Sequence, residues 1–245
     1  MLTSLHEGAP GSSPVVVFPH AGGSPRFFRH WPQALSRTPL LGVTYPGRDT
    51  RMNETYADNP HGDDLLGLAH AAADAIRAIG LAAPVLVGHS FGAYLAYETA
   101  TELLRRGDTG VRLVVSGQNP PAHRPATLLH RAGDDELVAD IVRQNPGSAE
   151  VWANPQLRNI FLPPVREDYR LLETYAPPTT VFPKLPEILV CRADSDGEVL
   201  PETLDDWHAC AHRVHPPAVF RGDHFYLAEP DLQLPRHLAA TFSLR

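Results

Sequence analysis

Pro84-Val-Leu-Val-Gly-His-Ser-Phe-Gly-Ala-Tyr-Leu-Ala-Tyr97 is the stretch from which the rest of the chain can be read. It opens on a short β-branched apolar run, Val85 to Val87, of the kind that forms a buried strand. It ends in a segment running from Ala93 to Leu104 that carries Leu95, Ala96, Thr99 and Leu103 on one helical face. Between strand and helix lies Gly88-His-Ser-Phe-Gly92, a G-x-S-x-G string. A turn this tight forces strained angles on the serine, and glycines flank it because larger side chains would collide. The Ser90 hydroxyl is thereby exposed at a helix N-terminus, where backbone N–H groups favour developing negative charge. That is the build of a nucleophile elbow, with Ser90 as the candidate nucleophile. A Gly-rich turn with an N-capping serine is the plainer alternative, and the strand before and helix after weigh against it.

Outward from the elbow, short apolar runs alternate with longer amphipathic stretches, as expected of a parallel sheet with covering helices. Strands are predicted at Val15 to Phe18, Leu40 to Thr44, Val85 to Val87, Val111 to Ser116, Ile188 to Cys191 and Ala218 to Phe220. Leu65, Leu68, Ala69, Ala72, Ile76 and Ile79 recur at helical spacing between them. The class is α/β, an α/β-hydrolase fold with a mostly parallel sheet and helices on both faces. The 245 residues suit a single domain, 1–245. From about Ala122 to Pro183 the rhythm changes to helical patterning, around Leu137, Val138, Ile141, Val142 and around Leu171, Leu172, Tyr175. Proline pairs at 120–121, 163–164 and 177–178 bracket these segments. An inserted helical lid over a binding site is the favoured reading, a structural helical layer the plainer one. Leu137, Val138, Ile141, Phe161, Leu162, Leu171 and Leu172 are expected to line or support an apolar chamber beneath it.

A nucleophilic serine needs a base and an acid, which follow in the order Ser, acid, His in this fold. Of the late histidines, His208 and His212 sit at helical spacing and read as solvated helix residues. His224, in Phe220-Arg-Gly-Asp-His-Phe-Tyr-Leu227, follows the last strand on a Gly-containing loop and is the candidate base. The acid should follow the preceding strand, where Arg192-Ala-Asp-Ser-Asp-Gly-Glu-Val199 offers Asp194 and Asp196, and spacing alone allows either. Turn chemistry or a helix cap is the role left for the other. The oxyanion hole should combine the N–H of Phe91 with one from the loop after the first strand, Pro19-His-Ala-Gly-Gly-Ser24, which points to Ala21. That loop lacks G-x-G-x-x-G and is not read as a dinucleotide site.

Composition narrows the function classes. A formal net charge of −7 argues against nucleic acid and anionic membrane as partners. No apolar run approaches the ~18 residues of a membrane span, and the opening MLTSLHEGAPGSS lacks a targeting pattern, so a cytoplasmic location is expected. Cys191 and Cys210 are too few for a disulfide framework and lack metal-ligand spacing. No cofactor or metal is expected. Arg48, Arg51, Arg105 and Arg106 are the arginines available for a local basic patch, although surface arginines are more often simply solvated.

Several strings together resemble the type II thioesterases, the discrete editing enzymes of polyketide and nonribosomal peptide synthases. They are Phe18-Pro-His-Ala-Gly-Gly-Ser24, Tyr45-Pro-Gly-Arg48, Gly88-His-Ser-Phe-Gly-Ala93 with Tyr97-Glu98, Arg166-Glu-Asp-Tyr-Arg170 through Glu173-Thr-Tyr175, and Asp223-His-Phe-Tyr-Leu227. The likeness runs in order along nearly the whole chain. It implies hydrolysis of acyl groups from the phosphopantetheine thiol of acyl or peptidyl carrier proteins, a flexible lid over the acyl chamber, and Asp196 as the triad acid. Ala193 and Asp223 stand where the family usually has glycine, and a carboxylate at 223 either raises the pKa of His224 or points to solvent. A start at Met1 with no carrier-protein sequence before it favours a discrete enzyme over a chain-terminating thioesterase domain. A small-molecule carboxylesterase, or a scaffold that only binds a ligand, are the remaining alternatives.

Overall fold

The computed structural model describes residues 1–9, 11–124, 126–178 and 184–244. Its strands are β1 (Leu2–His6), β2 (Val15–Phe18), β3 (Leu40–Val43), β4 (Val85–His89), β5 (Arg112–Ser116), β6 (Leu185–Ala193), β7 (Ala211–Val214) and β8 (Ala218–Phe220). They form one sheet in the order β1-β3-β2-β4-β5-β6-β7, with β8 beside the C-terminal end of β6. Every pair is parallel except β1 with β3. The helices are α1 (Leu65–Ala78), α2 (Phe91–Arg105), α3 (Asp134–Gln144), α4 (Ala149–Ala153), α5 (Pro155–Thr174) and α6 (Gln233–Thr241).

The central strands are apolar throughout because both faces are covered. Val16, Phe18, Leu86, Leu113 and Val115 pack under α1 and α2, while the alternate positions Val15, Val17, Val85, Val87 and Val114 pack against Leu234 and Leu238 of α6 and against Phe28 and Trp31. The sheet class and all six predicted strands are present. The two strands absent from the prediction, β1 and β7, lie at the sheet's outer edges, where half-exposed residues leave no clear alternation to read. His212 therefore lies on β7 and not on a helix, while His208 lies on a 3-10 helix, Pro201–Ala209; both side chains are exposed.

Among the described residues, three 3-10 turns and α3, α4 and α5 come between β5 and β6. The expected end of the insertion, at Pro183, lies outside the described residues. Pro163 and Pro164 do not bracket helices; they sit inside the 20-residue α5. A proline pair is a helix breaker by local rules, but here it faces a tertiary partner. Gly47 comes so close that a Cβ there would lie 2.7 Å from Pro164 Cβ.

The parallel strands β2, β4, β5, β6 and β8 all end on one edge. Their C-terminal loops thus bring residues 19–24, Ser90, 117–119, 194–198 and 222–225 together, as open α/β sheets do with their sites.

Candidate active site

Ser90 follows β4 with φ 53° and ψ −122°, a conformation that L-residues avoid. Its N–H donates to Ser116 O at 2.9 Å, which holds the turn against β5. The two glycines are required by contact: a Cβ on Gly88 would lie 2.2 Å from Gly92 O, and one on Gly92 would lie 2.1 Å from Phe18 O. Phe91 is the first residue of α2, so its N–H is one of the donors that an α-helix cannot satisfy internally.

His224 follows β8 in the turn after Gly222, whose φ is +126°. The ring is 4% exposed, and its Nδ1 lies 3.0 and 2.9 Å from the two carboxylate oxygens of Asp196. A carboxylate only accepts, so Nδ1 carries the proton and Nε2 is left as an acceptor. Nε2 is buried without a hydrogen-bond partner, and His224 lines the same cavity as Ser90. Asp196 Oδ1 also accepts from Glu198 N–H at 2.9 Å. Asp194, the alternative in the sequence, instead accepts from Gly222 N–H at 3.1 Å and is exposed. That hydrogen bond and one from Ser195 hold its carboxyl below the usual range. Asp223 makes a turn of its own, accepting from Phe225 N–H at 2.8 Å.

The cavity has a volume of about 140 Å³. Ser90, His224, His20 and Ala21 form its floor, Ile141 of α3 and Leu172 of α5 its apolar roof, and Asp140, Arg143, Gln144 and Glu198 its polar side. Of the seven apolar positions expected to line or support the chamber, only these two roof residues reach it. Leu137, Val138 and Leu162 pack the insertion together with Trp152 and Tyr169, and Leu171 is buried in the core under α2. Phe161 is 37% exposed and lines a separate hollow beside Gly47 and Trp152.

Two further imidazoles wall the site. His20 is edge-on to Phe27 and Phe225, with ring centres 4.7 and 4.8 Å away, and its pKa is driven down to about 3 by burial, then by His224 and Arg48. His89 packs 4.8 Å from His224, has Nδ1 at 3.1 Å from both Ser116 O and Oγ, and is held well below its ordinary pKa, mainly by burial. Both remain neutral at pH 7 and do not compete for a proton passing to His224. Among the described residues no group of three His, Cys, Asp or Glu could hold a metal ion, and no helix is long and apolar enough to cross a membrane.

The arrangement is a serine at a strained elbow beside an imidazole whose tautomer is set by a buried carboxylate, which is the equipment for acyl transfer. A family model described as "Thioesterase domain" matches residues 13–242. The chain belongs to this thioesterase family. Among curated relatives, the probable cadicidin biosynthesis thioesterase of Streptomyces griseus is 31% identical over 232 residues, covering 93% of this chain but 62% of that protein's length. Among solved structures, the type II thioesterase BorB from the borrelidin biosynthetic cluster superposes with a TM-score of 0.84 at 32% identity, covering 100% of this chain and 97% of that one. YbtT, a type II thioesterase from the yersiniabactin pathway, gives 0.85 at 28%, covering 99% and 98%.

In this thioesterase, sequence reasoning passed over one buried cluster next to the site. Arg48, grouped above with possible surface arginines, is 7% exposed and makes a two-bond ion pair with Asp168 of α5, both bonds 2.8 Å. The partners are 120 residues apart and no local pattern joins them. The other three arginines of that group pair with neighbouring carboxylates, Arg51 with Glu54 and Arg105 and Arg106 with Glu102.

Proposed function

We propose that this thioesterase hydrolyses acyl groups carried as thioesters on the phosphopantetheine arm of acyl or peptidyl carrier proteins, through a Ser90 acyl-enzyme. The observation that carries the reading is the pair of Asp196 bonds to His224 Nδ1, which leave Nε2 free on the cavity that Ser90 also lines. Ser90 Oγ gives its proton to His224 Nε2 and attacks the thioester carbonyl. The oxyanion is held by the N–H groups of Phe91 and Ala21. As the tetrahedral intermediate collapses, the C–S bond breaks and the thiol leaves with the proton from Nε2. A water then gives a proton to Nε2 and attacks the acyl-enzyme, releasing the free acid and returning the proton to Ser90. Asp196 holds the imidazole in one tautomer and stabilises its cation.

The carrier-bound substrate is supported by the family and by the pathways named for similar proteins, the yersiniabactin NRPS/PKS pathway for YbtT and the borrelidin biosynthetic cluster for BorB. In this reading the segment between β5 and β6 is the lid. A cavity of about 140 Å³ is the size that takes a benzene-sized group. An acyl group of a few carbons therefore fits within that volume.

The test is turnover of acyl-carrier thioesters. Ser90→Ala and His224→Ala should each lower it by orders of magnitude, with the double variant little worse, because the members act as a unit. A fluorophosphonate should label Ser90. A Ser90→Ala protein with most of its turnover would sink the mechanism, and faster hydrolysis of free esters than of carrier thioesters would move the substrate to small molecules.

A further inference from the structure

The oxyanion loop is held in place from below by a residue of the insertion. The loop, residues 19–23, is tied at three backbone groups. Tyr45 Oη donates to Pro19 O at 2.9 Å, Arg48 Nη1 donates to Gly23 O at 3.1 Å, and Gly22 N–H donates to Asp168 Oδ2 at 2.7 Å. Asp168 is fully buried in α5, and both of its oxygens are occupied. Oδ2 takes Gly22 N–H and Arg48 Nη1, and Oδ1 takes Arg48 Nη2 and the Tyr56 hydroxyl. Burial, and then the Asp168 carboxylate, keep the Tyr56 phenol well above its ordinary pKa, so it stays a donor.

Gly22 adjoins Ala21, the residue whose N–H faces the reaction in the function proposed above. Gly22 is also where α5 touches the loop. Its φ is +76°, and a Cβ there would lie 2.8 Å from Val165 Cγ2, one helical turn before Asp168. The peptide that follows Ala21 thus has its N–H aimed at a fixed carboxylate, and the orientation of that plane is passed to its neighbour. Resting on the reading of Ala21 as an oxyanion donor, we infer that Asp168 is a positioning residue, whose bond to Gly22 N–H sets the oxyanion hole and makes a docked α5 a condition of turnover. The part of the insertion that opens to substrate is then α3 and α4, while α5 stays seated.

The experiment compares Asp168→Ala with wild type and with Leu238→Ala, a variant in the core on the far side of the sheet that loses stability without touching the loop. Turnover of an acyl-carrier thioester is measured below the melting point of each protein, together with the Kd of an alkyl boronic acid, which forms a tetrahedral anionic adduct on the serine. Loss of a held oxyanion donor lowers kcat by about 10²–10³-fold. Asp168→Ala, which leaves Gly22 N–H without its acceptor, should lower kcat by that order with KM within threefold, and should weaken the boronate by a similar factor, because the analogue needs the same hole. Leu238→Ala should change neither. Asp168→Glu keeps a charge for Arg48 and serves if the alanine variant does not fold; it should lose at least tenfold in kcat. A folded Asp168 variant with kcat within threefold of wild type would overturn the inference, as would a fall in kcat with unchanged boronate affinity. A wild-type protein without turnover or Ser90 labelling would instead overturn the hydrolase reading on which it rests.

Discussion

Replacing His20 by glutamine should make the protein less sensitive to acid. The His20 ring packs edge-on against two phenylalanines, near His89, His224 and Arg48, and its pKa falls from 6.5 to about 3 on folding, mainly through burial. A group with a depressed native pKa binds its proton first in the unfolded chain, so its effect is absent well above pH 6.5 and destabilises progressively as pH falls from 6.5 towards 3. Each pH unit in that window is worth about 1.4 kcal/mol, so moving from pH 7 to pH 5 should remove about 2 kcal/mol through His20 alone. His89 and the carboxylates also contribute to the total, but they are present in both proteins and drop out of the difference. Urea unfolding of wild type and His20→Gln at pH 7, 6 and 5 gives the two profiles directly. The wild-type curve should fall about 2 kcal/mol further than the variant's by pH 5. Parallel curves, differing by less than about 0.5 kcal/mol in that change, would show that His20 titrates in the folded protein much as it does in the unfolded one, and the picture of a neutral imidazole wall would fail.

Asp196→Asn should lower thioester turnover by about 10⁴-fold, because the amide no longer fixes the His224 tautomer, while Asp194→Asn keeps an acceptor for Gly222 N–H and should change turnover little; the reverse pattern would move the acid to Asp194. Leu172→Ala enlarges the roof of the cavity and should shift preference towards longer acyl carriers by about 1–3 kcal/mol per methylene accommodated, whereas Phe161→Ala, in a separate hollow, should leave the ranking of acyl lengths unchanged. Re-ranking by Phe161→Ala with none by Leu172→Ala would place the acyl group on the other side of α5.

What the sequence by itself determined is what short-range sterics and periodicity control. The elbow is legible because its string lies within five residues: a serine held at positive φ, and a Gly88 whose Cβ would strike Gly92 O; the contact that requires Gly92, with Phe18 O on β2, is tertiary. The central strands are legible because burial on both faces leaves unbroken apolar runs, and His224 because it follows the short apolar run of β8 on a glycine loop. Tertiary structure alone decided the rest. Asp194 and Asp196 are two residues apart on one turn, and only the path of the 222–225 loop settles which of them meets the imidazole and which caps Gly222. Edge strands β1 and β7 lack the burial that writes a pattern into sequence. Pro163 and Pro164 read as a break by local rules, yet α5 runs through them, with Pro164 against Gly47 of a distant loop. Arg48 reads as a surface charge because its counter-charge lies 120 residues away. Burying that pair costs desolvation and is worthwhile only when every donor and acceptor is met, a condition that no stretch of sequence can display.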